Sequence, residues 1–255
     1  MFPPAFDAFV PSSFHELLSQ DVFRADYVPL DTIHATFQEL ESQYILSDLY
    51  AGKVTAPAIF DHCKRLVYLA LCLLHTGFPS GSPEVTQITS QELMERVYLT
   101  CILHDLGLTN DSNALAHPAN AMSFEIAGGF LAYDHLHLVY PAMDATKVGD
   151  VVQGIILHTV EFEKGKSSAA AWLLQISALF DVVGSGFDAM GPGSFSRLWH
   201  KDTVAEIEKL FPKADFMPEL GCIFERETRS KVNCILSHSV SFDQVIHSFL
   251  SSDQF

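Results

Sequence analysis

"YLTCILHDLGLTN", residues 98–110, is the stretch whose reading decides the rest of the chain. Tyr98, Cys101, Ile102, Leu103, Leu106 and Leu108 make it almost wholly apolar, yet His104 and Asp105 stand side by side in its middle. Burying an unpaired carboxylate is strongly unfavourable, so such a group takes a cation, a proton or a metal as its partner. Which of these it takes depends on what the surrounding sequence brings to it.

Working outward, Thr89-Ser90-Gln91-Glu92 is a capping box that opens a helix running into the quoted stretch, and Gly107 is placed to end it. Thr32–Asp48 carries Ile33, Phe37, Leu40, Tyr44 and Leu46 at close to the helix period. Further helices are predicted over Ala56–His75, Met122–Ala132, Ala145–Val160, Ser168–Val183, Glu219–Val232 and Phe242–Leu250. A second capping box, Thr203 to Glu206, opens "TVAEIEKLF". The connections "TGFPSGSPEV", "TNDSNALAHPANA" and "GSGFDAMGPGSFS" are rich in Gly, Pro, Ser or Asn and read as solvated loops. Alternating strand patterns are scarce, and there is no internal repeat or low-complexity tract. The expectation is an all-α chain in one domain, 1–255, with its core at about 55–240 and a helical extension at 1–50.

With 255 residues, 48% hydrophobic and 18% charged, the chain suits a globular domain with a sizeable core. Its 31 acidic against 15 basic residues give a formal charge of -16, and no Lys/Arg cluster occurs. That balance argues against nucleic acid or an anionic membrane as partner. The longest apolar run, Leu66–Leu74, falls short of the ~20 residues of a membrane-spanning helix. The opening "MFPPAFDAFVPSSF" lacks the pattern of a signal peptide, and the cysteines (63, 72, 101, 222, 234) are odd in number and form no CxxC. Reduced thiols and a cytoplasmic location are expected.

Most of the predicted helices have one apolar and one polar face and need no function to explain them. Four places break that pattern: Asp61 and His62 in "FDHCKRLVYL", His104 and Asp105, His158 in "GIILHTV", and Asp181 in "LLQISALFDVVG". Each alone is ordinarily a hydrogen-bonded core residue or a partner of a helix end. Together, imidazoles and carboxylates suit a divalent transition metal such as zinc, iron or manganese. Ligands from separate helices can meet in the core, as in other helical metal proteins.

At these residues the chain resembles the HD superfamily of metal-dependent hydrolases, whose H…HD…D pattern falls on His62, His104, Asp105 and Asp181. The flanking blocks "FDHCKR", "YLTCILHDLGLT", "SFEIAGGFLA", "GIILH", "LLQISALFDVVG" and "HKDTVAEIEKLFP" are similar, in order, to the fungal-type cyanamide hydratase branch. The resemblance implies an HD-domain helical bundle with a buried mononuclear metal site. It also implies one Zn2+ (Fe2+ or Mn2+ being alternatives) and addition of water across a carbon–nitrogen triple bond, turning cyanamide into urea. By the same resemblance His62, His104, Asp105 and Asp181 are metal ligands. Asp105 and His158 are catalytic, Asp105 as proton shuttle with protonated His158 as the alternative donor. Glu125 anchors helices. The partner implied is a small uncharged substrate, and a homo-oligomer is expected.

The chain departs from the branch at three places. "TVEF" follows His158, Ser177 and Ala178 stand where the branch carries Thr, and "KVNCILSHSV", with Lys231 and His238, replaces a "KPW" block. Ser177 and Ala178 are therefore expected substrate-pocket residues; Phe180, with Phe187, joins them as a wall flanking Asp181, and His117 because the resemblance implies a loop approaching the site there. A related nitrile, or an isocyanide hydrated to an N-formyl product, stands beside cyanamide as substrate. The alternative activity is an HD-type phosphohydrolase, which requires cations such as Lys64, Arg65 and Arg197 near the metal; a non-catalytic scaffold is the third reading. His135 and His137, two apart, point to different helix faces and are not expected to hold a second metal.

Overall fold

A run as apolar as Leu66–Leu74 has no polar face to offer water, so its helix must lie at the centre of what forms around it. The computed structural model describes residues 2–185 and 195–238. There the run belongs to α4 (Pro57–Thr76), which starts on a proline whose missing N–H costs nothing in the first turn and is buried from Arg65 to Leu74. α5 (Ser90–Leu103) and α9 (Ala169–Val183) pack on α4 and on each other, α8 (Ala145–Leu157) packs on both of these, and α7 (Phe124–Val139) packs on α8. α2 (Leu30–Gln43), α10 (Lys201–Leu210) and α11 (Phe216–Ser230) cover other sides of α4, while α3 (Ile45–Val54) lies on α5. Short α1 (Phe14–Leu18) and α6 (Ser112–Ala116) complete the helices of the described residues. The architecture is all-α, as the periodicity predicts. No helix among the described residues is long and apolar enough to cross a membrane.

The helix starts show which local signals govern. Thr89 accepts the Glu92 N–H at 3.2 Å, as a capping residue should. The second capping box does not cap: α10 begins at Lys201, with the His200 ring accepting the Asp202 N–H. Thr203 Oγ1 is instead bonded to both the N–H and the carbonyl of Val28, and Glu206 accepts from Tyr27 Oη and the Leu30 N–H. A tertiary strap has claimed the residues that sequence assigns to a local cap. The helix expected over Thr32–Asp48 breaks at Tyr44, whose buried ring stacks on Tyr98 and whose hydroxyl donates to Glu95 at 2.7 Å. α7 outruns its expected end at Ala132 and reaches Val139.

The extension expected over 1–50 carries α1, α2 and the start of α3, but it opens on strands rather than helix. Residues 5–11 form β1 (Ala5–Asp7) and β2 (Phe9–Pro11), paired antiparallel with β3 (Gln87–Thr89) and β4 (Lys166–Ser168). Those partners lie just ahead of α5 and α9, so the leading segment is laced across the starts of two core helices and buries Phe6 and Val10. Three-residue strands leave too little alternation to read in sequence. "TGFPSGSPEV" wraps this segment, Ser82 N–H donating to Asp7, rather than covering the metal-ligand candidates. The predicted helix Phe242–Leu250 and Phe187 lie outside the described residues.

Gly107 is required for close approach rather than as a helix stop, since α5 ends at Leu103. A Cβ on Gly107 would stand 2.0 Å from the Phe124 carbonyl oxygen and 3.0 Å from the Gly128 nitrogen. Both are backbone atoms at the head of α7 and cannot swing aside. Gly107→Ala is therefore expected to cost about 1–3 kcal/mol by overpacking, read as a lower urea midpoint at unchanged slope. An unchanged midpoint would show that this contact gives way freely.

Candidate metal centre

The sequence puts His104 and His158 at the C-caps of α5 and α8, His62 in the second turn of α4, and Asp181 near the end of α9. Packing of α5 on α4 brings His62, His104 and Asp105 together. His104 Nε2 lies 3.1 Å from Asp105 Oδ2, and His62 Nε2 lies 3.8 Å from the same oxygen. His62, His104 and Asp105 form a buried group whose ligand atoms are close enough to share one metal ion.

The hydrogen bonds behind these rings fix their tautomers. Nδ1 of His104 donates to the Cys101 carbonyl at 2.8 Å, and Nδ1 of His62 donates to Asp181 Oδ2 at 2.6 Å. Nδ1 of His158 donates to the Ile155 carbonyl at 2.6 Å. A neutral imidazole that donates from Nδ1 keeps a lone pair on Nε2. Two such lone pairs therefore face one Asp105 oxygen, an arrangement of acceptors that needs a cation or a proton among them. The electrostatics agree. Burial alone would raise the Asp105 carboxyl, but His104 and then His62 outweigh it and hold it below its usual value. Burial likewise disfavours a charged His104, yet Asp105 raises it well above the usual histidine value. The site is built for positive charge, and the chemistry of its donors fits a divalent metal.

Asp181, expected as the fourth ligand, lies on the far nitrogen of His62. Both its oxygens accept from Arg65 Nε at 3.0 Å, Arg65 Nη2 sits 2.9 Å from Oδ2, and Lys213 Nζ lies 3.1 Å from Oδ1. Burial pushes this carboxyl up, but His62 and Arg65 hold it well below the usual carboxylate range. In this arrangement it orients the His62 imidazole by a hydrogen bond and stays ionised through its own cations.

Around the group lies a cavity of about 100 Å³. His62, His104, Asp105 and His158 form its polar floor, and Phe14, Leu108, Phe124, Val182, Leu220 and Phe224 are among its apolar walls. Of the expected pocket residues, Ala178 lines it. Ser177 is buried one position away, its Oγ without a hydrogen-bond partner. Phe180 turns to the other side of α9, against Phe195 and Trp199, because neighbouring helix positions face different directions. His117 caps the 3-10 turn after α6 and bonds Asp134 at 3.2 Å on the surface. Lys231 pairs with Glu227, and His238 bonds Asn233. Glu125 anchors as expected: its Oε1 accepts from Thr159 Oγ1 at 2.6 Å, tying α7 to the segment after α8. Sequence reasoning missed Thr159, Gln175 and Phe14 as cavity residues. A lone amide inside "AWLLQISALF" was a visible signal for Gln175; Phe14 comes from a distant segment and had none.

His158 is neutral rather than a protonated donor. Burial, then the neighbouring His104, lowers it to about 4. His135, stacked on Tyr50 and bonded to Ser47, is lowered by burial to about 4 as well. Between pH 6.5 and 4 the unfolded chain takes up these protons and the folded chain does not, so this stability is present above 6.5 and lost as pH falls. Glu125 works oppositely: burial raises it to about 7, so the folded chain holds a proton that the unfolded one releases above 4.5. These three groups together contribute a gain of about 1.4 kcal/mol per pH unit as pH rises from about 5 to 6, and His62 and His75, also lowered by burial, add to it in the same sense. Urea titrations of metal-free protein across that range test it; a flat or falling trend would contradict the burial of these rings.

Among curated proteins, the chain is similar to cyanamide hydratase DDI2 and cyanamide hydratase DDI3 of Saccharomyces cerevisiae. It is 28% identical to each over 193 residues, which cover 75% of this chain and 74% of each relative. No family model matches the sequence.

Proposed function

We propose that this chain is an HD-type, metal-dependent hydratase (a hydro-lyase) that adds water across the carbon–nitrogen triple bond of a small uncharged nitrile. Cyanamide, converted to urea, is the prototype. The observation that carries the reading is the trio of His62, His104 and Asp105, with histidine lone pairs turned inward on the floor of a small apolar cavity. The similarity to two cyanamide hydratases supports the same chemistry. We assign His62 Nε2, His104 Nε2 and an Asp105 oxygen as ligands of one Zn2+, with Fe2+ or Mn2+ as alternatives, and Asp181 as the group that orients His62.

A metal held there supplies Lewis acidity and lowers the pKa of bound water towards ~7. The protein's own groups do the rest. The apolar walls exclude bulk water and accept a linear, uncharged molecule without cationic contacts. His158, neutral and with Nε2 as its free nitrogen, accepts the proton released by the attacking water. Asp105, held ionised beside His104, balances the positive charge of the floor, takes that proton over from His158 and passes it to the nitrogen on which charge develops. The O–H proton of the resulting imidic acid follows the same route through His158 and Asp105 to nitrogen, which gives the amide (urea from cyanamide) and leaves both groups as they began.

The phosphohydrolase alternative requires cations at the cavity. Lys64 pairs with Glu41 and Asp48, Arg65 is spent on Asp181 and two carbonyls, and Arg197 reaches the Leu18 carbonyl. None of the three lines the cavity. The deciding experiment is urea formation from cyanamide by protein of measured metal content, with His104→Ala as control. Urea from the wild type and not from the variant supports the hydratase. No urea from fully metallated protein removes cyanamide and makes an isocyanide, read as its N-formyl product, the next substrate. We further propose a cytoplasmic homo-oligomer that contacts neither nucleic acid nor membrane; exposed Phe130, Tyr133 and Leu138 on α7 support self-association, and light scattering measures it.

A further inference from the structure

α9 presents Gln175, Ala178, Leu179 and Val182 to the metal cavity, a one-turn spacing that puts all four on one face. Gln175 is the only polar member, and its Nε2 donates to the Val160 carbonyl at 2.5 Å. Val160 lies in the strap of residues 158–165 that joins α8 to β4. On one side of that bond Thr159 and Glu161 line the metal cavity. On the other, Phe162, Lys164 and Gly165 line a second cavity of about 520 Å³. Among the described residues, Gln175 alone belongs to both linings. The second cavity runs between the β2–β4 pair and the outer turns of α5 and α8. It offers Phe9, Ile88, Leu157 and Phe162 as apolar surface, and Arg96 with Asp150, 2.9 Å apart, Lys164, Lys166 and a row of serines as polar surface.

We propose that Gln175 is the gate that sets the length of substrate the site accepts. Its side chain, pinned to Val160, is the wall between the two cavities, and the larger one is a subsite for the aliphatic tail of a longer nitrile. The gate rests shut because the amide and the Val160 carbonyl satisfy each other, and parting them costs both that partner. Shut, it keeps the metal cavity, of about 100 Å³, apart from the larger one. Open or truncated, it joins a small reactive chamber to one about five times its size. The inference extends the nitrile reading and rests on it for the choice of ligand.

The test follows the imidazole signals of His104 and His158 in protein with isotope-labelled histidine, which needs neither turnover nor bound metal. Acetonitrile is expected to move these signals in wild type and in Gln175→Ala alike. Hexanenitrile is expected to gain about tenfold or more over acetonitrile in Gln175→Ala, as its added methylenes find apolar cover. Gln175→Met, which fills the space without bonding Val160, is expected to keep the wild-type ratio. Equal ratios in wild type and Gln175→Ala overturn the gate. If acetonitrile moves no signal in any protein, the nitrile reading fails by itself. The gate is then decided by the crystal structure of Gln175→Ala: the two cavities run together, or Val160 and Leu179 close the gap and the proposal is wrong.

Discussion

Asp105→Asn is expected to abolish metal uptake and to lower kcat/KM for the proposed hydration by about 10³-fold or more, the loss of a Lewis acid being worth several kcal/mol. The reason lies in what faces this carboxylate. Nδ1 of both His62 and His104 is occupied by a donated hydrogen bond, so each ring turns an electron pair towards Asp105. A carboxylate and two such nitrogens attract a divalent cation. An asparagine amide instead donates an N–H to His104 Nε2, 3.1 Å away, and relieves the crowding of acceptors without any ion. The substitution removes a charge and almost no volume. Metal-free Asp105→Asn is therefore expected to melt no lower than metal-free wild type while losing the rise in Tm that metal gives the wild type. Elemental analysis and paired melts measure both effects. One metal per chain in Asp105→Asn, with wild-type turnover, would remove Asp105 from the ligand set.

How much of this was legible in sequence depends on the range of the interaction. The core helices were readable because their signal is local: eleven of the fourteen residues from Phe60 to Leu73 are buried in one helix, and Thr89 caps α5 by a bond three residues long. Thr203 and Glu206 show the limit of such signals, since the same capping pattern was taken over by Val28 and Tyr27 from far up the chain. The cluster of His62, His104 and Asp105 was legible as polar residues out of place in apolar helices. The place of Asp181 was not: nothing in "LLQISALFDVVG" says that Arg65 and Lys213 reach it before a metal does. Phe180 and His117 went astray because a position near a motif does not tell which way a side chain turns.

Arg65→Met is expected to lower stability by about 3–5 kcal/mol, the cost of leaving one member of a buried ion pair behind. In a chain of this size that is a fall in Tm on the order of 10 °C. Arg65 is fully buried, and its guanidinium joins Asp181 on α9 to the carbonyls of Phe211 and Pro212 just beyond α10. Lys213 is then the remaining full cation on Asp181, and it is itself shared with Glu208 at 2.7 Å. Methionine fills the stem's volume, so the loss reads charge and hydrogen bonds rather than a cavity. The consequence for the site follows from the shared oxygen: Oδ2 of Asp181 accepts from Arg65 and also holds Nδ1 of His62. Freed from Arg65, Asp181 leans more heavily on His62, whose ring loses its fixed direction, and metal affinity is expected to fall about 10–100-fold as for other outer partners of a ligand histidine. Adding Asp181→Leu to Arg65→Met is expected to recover much of the stability, because no buried charge is then left unpaired, but none of the metal affinity. A double substitution that restores both would mean that Asp181 neither orients His62 nor serves the metal. One that restores neither would place the weight of Arg65 on the Phe211 and Pro212 carbonyls instead.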